Sequence, residues 1–525
     1  MTADLLSNLP ARIHGILDEG AGAGSSRTAF TDEYGVEWSY RQVIDVVGQV
    51  ADELAALGIR PGDRMMIVGE NSIAAVVLMY AASRLDAWVV MTSARLTERE
   101  LASIEQDSSP RCIFYIHATS QEAEVHATRR STDERILAGI GAVRVSALNT
   151  EAVPEPVYED PARQVAVLIY TTGTTGRPKG VMLSHRSLAY VASRGKRTAT
   201  ILSDDVTLCL MPISHSYGLA LMQGFLFAGA HQRIMPRFSM AQALELIGNQ
   251  TLTVFAAVPS LFARMVAHVG RTGVRLTPNR LRYAYSGTAP LDLALRQDVE
   301  QMLGVVLHNG YGLTETSPTI SRTIYVKGTG EINIGTPIPG VEIKIVDSDG
   351  RQVRDGSPGE LLVRGPNVML GYYRNPEQTR AVLDADGFLR TGDIVSQNSA
   401  GALIVQGRAK ELIIRSGFNV YPPEIEAVLN GHPMVLNSAV VGRAVTGDEE
   451  IVAFVESVPD GRIETSELFD LIEVHLAKYK RPHQIVVLDQ LPVAPNGKIR
   501  KDELKKLAAA GVDIAASTQQ GDRSG

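Results

Sequence analysis

Short, uniformly apolar runs recur through the first 180 residues with helix-spaced stretches between them, and this alternation restricts the fold more than any other feature of the chain. MMIVG (Met65–Gly69), WVVM (Trp88–Met91) and VAVLI (Val165–Ile169) are too short for helices and predict buried strands. Between them, Ser39 precedes Val43, Ile44, Val47, Val50, Leu54 and Leu57 at helical spacing, and Gly58 supplies the stop. The most apolar window, Ile73 to Ala82, is about half the length that crosses a bilayer and is followed by Arg84 and Asp86, so it predicts a buried helix. Helices alternating with short buried strands are the pattern of an α/β fold.

The 525 residues exceed one compact core and suggest roughly three to four domain-sized units. Residues 118–160 are polar and aperiodic, which predicts loops. Beyond about Gly328, VEIKIVD, a DSDG turn, GELLVRG and ALIVQG predict a β-rich subdomain. From Lys410 the α/β pattern returns, with helices after Pro423 and Glu464 and a strand at Ile451 to Val455. This divides the chain into a large unit, 1–409, and a small one, 410–525. The closing AAAGVDIAASTQQGDRSG predicts a frayed tail.

Composition excludes several classes. Charged residues are 21%, apolar residues 45% and the net charge is −7, so nothing advertises nucleic acid, and no window predicts a transmembrane segment. Cys112 and Cys209 lie far apart among apolar neighbours, outside any CxxC pair, and predict reduced core residues in a cytoplasmic protein. The first residues lack a secretory signal pattern, and no address label is expected.

Five clusters carry chemistry. YTTGTTGRPKG, Tyr170 to Gly180, follows the VAVLI strand with the composition of a phosphate clamp: glycines admit close approach, and Thr hydroxyls, amides and Lys179 supply donors and charge. It does not fit GxxxxGK[ST]. NGYGLTET, Asn309 to Thr316, offers Tyr311 as a flat surface for a base, Gly310 and Gly312 to let the base approach, and Glu315 for a metal ion. TGD, Thr391 to Asp393, places a carboxylate after a small turn, able to accept both hydroxyls of a ribose. GRAKELIIRSGFNVYPPEIE, Gly407 to Glu426, and PVAPNGKIRK, Pro492 to Lys501, complete the set.

In this order and spacing the clusters resemble the adenylate-forming superfamily of acyl-CoA synthetases, luciferases and peptide-synthetase adenylation domains, from about Trp38 to Leu504. The resemblance implies two α/β subdomains plus a β-rich one in the N-terminal domain, then a mobile α+β C-terminal domain hinged at Lys410. It implies ATP, Mg²⁺ and CoA, and two half-reactions at one site: a carboxylate attacks the α-phosphorus of ATP, releasing pyrophosphate, then CoA thiolate displaces AMP. Thr171, Thr172, Gly173, Thr174, Thr175, Gly176 and Lys179 would hold the phosphates, with Glu315 on Mg²⁺ and Tyr311 on adenine. Asp393 and Arg408 would grip the ribose. Ser286, Gly287, Thr288, Asn309, Gly310, Gly312 and Thr314 would complete the nucleotide contacts. Lys498 would bridge carboxylate and α-phosphate in the first step, and after domain rotation the Gly417 loop would line a pantetheine tunnel.

The same resemblance puts His215, Tyr217, Leu221 and Ala289 around the acyl group, with His215 near the reacting carboxylate. Leu219, Met222 and Phe225 add apolar character, and no Asp in ISHSYGL pairs with an amino group, which disfavours amino acids. A dicarboxylate would need a cation on that wall, and Arg233 and Arg237 lie too far along, so a hydrophobic monoacid, aryl or fatty, is expected. Tyr217 matches a pocket Tyr of hydroxycinnamate ligases, and Ile414 stands where many aryl-CoA ligases have Lys. The rivals are an acyl-adenylate synthetase serving a carrier protein or an oxidative acceptor, and a non-catalytic nucleotide or acyl sensor. The resemblance also admits a homodimer and a lysine acyltransferase that switches the enzyme off at Lys498.

Overall fold

The computed structural model describes residues 5–22, 25–130, 132–172, 178–328, 330, 332–353, 355–415, 418–445, 448–458, 461, 463–494 and 498–510. Of the expected site, Gly173, Thr174, Thr175, Gly176 and Gly417 lie outside them, as does the tail from 511.

The three apolar runs become neighbouring parallel strands, Arg64–Gly69, Trp88–Ser93 and Val165–Thr172, with Cys112–Tyr115 parallel on the far side of the first. Alternate residues feed opposite faces: Met65 and Ile67 enter one core cluster, Met66 and Val68 another. Such strands need cover on both sides. One cover is the helix Tyr40–Leu57, whose start is a capping box in which Ser39 and Gln42 bond each other's backbone N–H, and whose end is Gly58 at φ 102°. Between that helix and the strands lies Ile73–Arg84, in which only Arg84 escapes burial.

Antiparallel edges extend this sheet to eight strands: Pro178–Ser184 and Gly371–Tyr372 on one side, Gly141–Ser146 and Thr132–Leu137 on the other. The last pair, with the helix Gln121–Thr128, corrects the expectation of loops over 118–160. Thr132–Leu137 is exposed almost throughout, so polar residues there mark a wet edge strand.

A second sheet runs Val254–Ala257, Tyr283–Ser286 and Leu307–Gly312 in parallel, then Thr319–Arg322 and Thr336–Pro337 antiparallel. The β-rich unit is the antiparallel set Glu342–Val346, Gly359–Arg364, Leu389–Gln397 and Leu403–Arg408. After a turn at Lys410 the chain forms the sheet Val435–Val445, Asp448–Ser457 and Gln484–Leu488. Helices Pro422–Asn430 and Thr465–His475 pack on one face, and Lys501–Ala509 on the other. That last helix buries Leu504 and Ala508, so Ala508 and Ala509 belong to an element rather than to the frayed tail. No helix among the described residues is long and apolar enough to cross a membrane.

Candidate active site

Outside the carboxyl ends of the parallel strands, where ligands collect in α/β sheets, lies a cleft of about 2240 Å³ walled by the β-rich and C-terminal units as well. Val165–Thr172 and Pro178–Ser184 pair antiparallel, Thr171 opposite Lys179, and both of these residues line the cleft. Lys179 Nζ sits 5.1 Å from the centre of the Tyr372 ring, and Tyr372 Oη donates to Glu315 Oε1 at 2.8 Å. Burial lowers the Lys179 pKa, and Lys410 adds to the effect while Glu315 opposes it. Tyr372 was not foreseen: GYYRNP carries no pattern, and only the strand pairing brings it between the two charges.

Glu315 lies in the turn Thr314–Thr316, which is fastened where Thr314 Oγ1 and Ser216 Oγ approach to 3.1 Å. Among the described residues no group of three or more His, Cys, Asp and Glu could hold a metal ion. A single carboxylate, Glu315, nevertheless fits Mg²⁺, which takes one or two carboxylates and completes its shell with phosphate oxygens and water.

The ribose candidates form a closed triad. Asp393 and Arg408 face each other across Leu389–Gln397 and Leu403–Arg408, with Arg408 Nε 3.0 Å from Asp393 Oδ1. Tyr311 Oη donates to Asp393 Oδ2 at 2.5 Å, and burial, then Asp393, push the Tyr311 pKa well above its usual value. Asp393 therefore lies within a strand and not after a small turn; Gly392, at φ 71°, lies where that strand bulges. Each carboxylate oxygen keeps a lone pair for a further donor.

Gly310 and Gly312 are required by packing within the protein. A Cβ on Gly310 would sit 1.6 Å from Tyr285 Oη, and one on Gly312 would sit 1.4 Å from the Pro318 carbonyl oxygen. Ser286 and Asn309 are partners on adjacent strands, and Ser286 Oγ and Asn309 Oδ1 are buried without a hydrogen bond. Asn309, Gly287 and Thr288 line the cleft, Thr288 at a strained φ of 77°, while Ser286 stands behind the wall.

Lys498 enters from the C-terminal unit. Its carbonyl accepts from Ala494 N at 2.8 Å, and Val493 bridges Ile499. The side chain is exposed by area because the cleft in front of it is open, yet protein surrounds it on the other sides. That desolvation, with Arg408 next, lowers its pKa to about 8 against the pull of Glu411 and Asp393. His215 caps the helix Ser216–Ala228, its Nδ1 accepting from Tyr217 N at 3.3 Å; burial and then the Lys498 charge lower its pKa to about 4. Lys498 thus acts on residues of the N-terminal unit at both ends of the cleft. Lys501, unremarked in the sequence, holds Glu411 at 3.1 Å and Glu426 at 2.7 Å beneath it.

Tyr217, Leu221, Phe225 and Ala289, the candidates for the acyl group, line the cleft. The Tyr217 ring stacks at 6.3 Å on Tyr285, and Tyr285 at 6.2 Å on Tyr283, giving an aromatic wall. Leu219 and Met222 face away, into the core beneath the large sheet, and so do not shape the cleft as expected. Arg237 pairs with Glu122 and Arg233 bonds Thr31, both outside the cleft lining. Two other arginines, Arg194 and Arg322, do line it and escaped the sequence reading, because each sits at the end of an element where a solvated charge is usual. Ile414 is 53% exposed on the hairpin Ile413–Arg415 and Phe418–Val420, its N–H bonded to Glu449.

Residues 17–373 match the family described as AMP-binding enzyme, and residues 424–498 match the AMP-binding enzyme C-terminal domain. Relatives include 4-coumarate–CoA ligase 5 of Oryza sativa subsp. japonica, 33% identical over 492 residues that span 90% of each chain. Indoleacetate–CoA ligase of Aromatoleum aromaticum is 33% identical over 508 residues, 94% of this chain and 97% of that one. ATP-bound MatB from Rhodopseudomonas palustris superimposes with a TM-score of 0.81 at 28% identity, covering 95% of this chain and 98% of its own. MenE from Bacillus subtilis in complex with ATP and magnesium superimposes with a TM-score of 0.79 at 27% identity, over 94% and 99%.

Proposed function

The chain belongs to the AMP-binding enzyme family, and we propose that it is an ATP-dependent acid:CoA ligase which activates an aryl or otherwise hydrophobic carboxylic acid through its acyl-adenylate. The observation that carries this reading is that Lys498, from the C-terminal unit, faces the same cleft as Lys179, Glu315, Asp393 and Arg408.

In the first half-reaction the acid's carboxylate oxygen attacks the α-phosphorus, and pyrophosphate leaves. Lys179 and Thr171 hold the departing phosphates, with Thr172 to Gly176 assigned to the same task from their motif. The Asp393 and Arg408 pair holds the ribose, and Tyr311, fixed through its hydroxyl to Asp393, offers its ring to the base. Asn309, which lines the cleft, supplies a buried polar group that lacks a partner without a nucleotide. Mg²⁺, when bound at Glu315, neutralises phosphate charge. Lys498 answers the charge that grows between carboxylate and α-phosphate, worth about 3–4 kcal/mol for a preorganised donor. His215 stays neutral and acts as a polar wall at the reacting carboxylate.

In the second half-reaction the thiolate of CoA attacks the acyl carbon and AMP leaves. One surface of the C-terminal unit cannot present both Lys498 and the Gly417 loop, so the reading includes a rotation about the exposed turn at Lys410. A sensor has no use for a transition-state lysine. Lys498, with its lowered pKa, holds more neutral amine at pH 7 than an ordinary lysine, and is the residue where acylation by a lysine acyltransferase would stop adenylation. A cytoplasmic setting accords with Cys112 and Cys209, both free, buried and raised in pKa by that burial to about 11 and about 12.

Acid-dependent exchange of labelled pyrophosphate into ATP tests the first half-reaction by itself. Exchange that needs the acid and disappears in Lys498→Ala supports the reading; exchange unaltered in that variant removes the role given to the lysine.

A further inference from the structure

Two guanidinium groups at the acyl end have no task in the reaction above. Arg194, in the last turn of His185–Arg197, is only 5% exposed. Its Nη2 donates to Ser193 Oγ at 3.2 Å and its plane lies 4.9 Å from the Tyr190 ring centre, but its Nε is buried with no hydrogen-bond partner. Arg322 ends the strand Thr319–Arg322, in register with Gly310, and its Nη1 donates to Thr200 Oγ1 at 3.2 Å. Among the described residues no carboxylate forms an ion pair with either side chain, and both line the cleft beside Ile201 and Phe225.

The surrounding charges deepen the mismatch. Burial first lowers the Arg194 pKa; Tyr190 opposes that, while Arg197 and Arg322 add to it, and no acid stands among the influences. Arg322 in turn acts on the phenols of Tyr283 and Tyr285, which places its charge at the hydroxyl side of the aromatic wall. Tyr217 Oη, on that wall, is a buried donor with no partner. A buried cation without an anion is unfavourable, and an apolar acyl tail laid against it would strip its remaining water without replacing it. Arginine presents a rigid fork that matches a carboxylate.

We propose that the preferred acid is a dicarboxylate with an apolar or aromatic middle, whose non-reacting carboxylate is held by Arg194 and Arg322 while the other is adenylated. This rests on the ligase reading and narrows its substrate. The hydrophobic monoacid expected from the Ser216–Ala228 helix alone satisfies the wall but leaves both charges unanswered. Only one carboxylate reacts: its oxygen bonds to the α-phosphorus as pyrophosphate leaves, CoA sulfur then bonds to the acyl carbon as AMP leaves, and the second carboxylate is carried through unchanged.

The test compares matched pairs, octanoate with octanedioate and hydrocinnamate with its para-carboxy derivative, by kcat/KM for thioester formation with ATP, Mg²⁺ and CoA. The wild-type protein should favour the diacid of a pair at least tenfold, and Arg194→Met and Arg322→Met should each reduce that ratio at least tenfold, chiefly through KM for the diacid. Arg194→Lys, which keeps the charge, should restore part of it. Monoacids that outrun both diacids in the wild-type protein, or variants that leave the ratio unchanged, overturn the inference while thioester formation keeps the ligase reading. Absence of adenylation with every acid removes both.

Discussion

At the end of the cleft assigned to the nucleotide, several charged groups come already joined: Arg408 and Tyr311 share Asp393, Tyr372 holds Glu315, and Lys501 lies between Glu411 and Glu426. At the acyl end, Arg194 and Arg322 have no ion-pair partner among the described residues and Tyr217 Oη has no bond. The first arrangement fixes geometry before a ligand arrives, because each side chain is held by another. The second is satisfied only by what binds. Under the proposed function, reaction type resides in the prebuilt end and choice of acid in the incomplete one.

The largest expected effect separates Lys498 from both ends. Lys498→Ala should slow adenylation by about 10²–10³-fold, the loss typical of one preorganised donor, while a supplied acyl-adenylate is still converted to thioester. Equal loss of both half-reactions would break the distinction. Asp393→Ala comes next, because it strands Arg408 and Tyr311 together. Urea unfolding should show a cost of about 2–3 kcal/mol, reduced from the fully buried case since Arg408 is partly exposed, and KM for ATP should rise.

A pH profile follows in size. Lys498 must be charged to act, so kcat/KM for ATP should be full below its pKa of about 8 and fall about tenfold for each pH unit above it. His215, neutral at all pH values well above about 4, should contribute no acidic limb near 6.5. An acidic limb at 6.5 that vanishes in His215→Asn would show that the imidazole takes part as a proton carrier. The smallest effect sharpens the comparison itself. Tyr217→Phe removes a hydroxyl with no partner and should leave thermal stability unchanged or slightly raised, whereas Tyr311→Phe should cost about 1–2 kcal/mol.

The parallel strands could be read from sequence because burial on both faces leaves an uninterrupted apolar run, as in MMIVG. Thr132–Leu137 could not, because an exposed edge strand such as TDERIL has no apolar face to alternate. The helix Lys501–Ala509 buries only Leu504 and Ala508 and is otherwise mostly charged, so its period was hidden. In the site, Lys179, Glu315, Tyr311, Asp393, Arg408 and Lys498 were legible as residue types in a fixed order, and the structure brings all six to one cleft. Tyr372, Arg194 and Arg322 were not: their significance comes from neighbours distant in sequence, and a lone arginine closing a helix or strand looks like any solvated charge.

The central claim, acid activation followed by transfer to CoA, is tested most directly by incubating the purified protein with ATP, Mg²⁺, CoA and a panel of monoacids and diacids, and measuring AMP and thioester by mass spectrometry. The account predicts equal amounts of AMP and acyl-CoA from at least one acid, with turnover stopping at one bound adenylate per enzyme when CoA is omitted. Steady AMP release that ignores CoA, with no thioester formed, would contradict it.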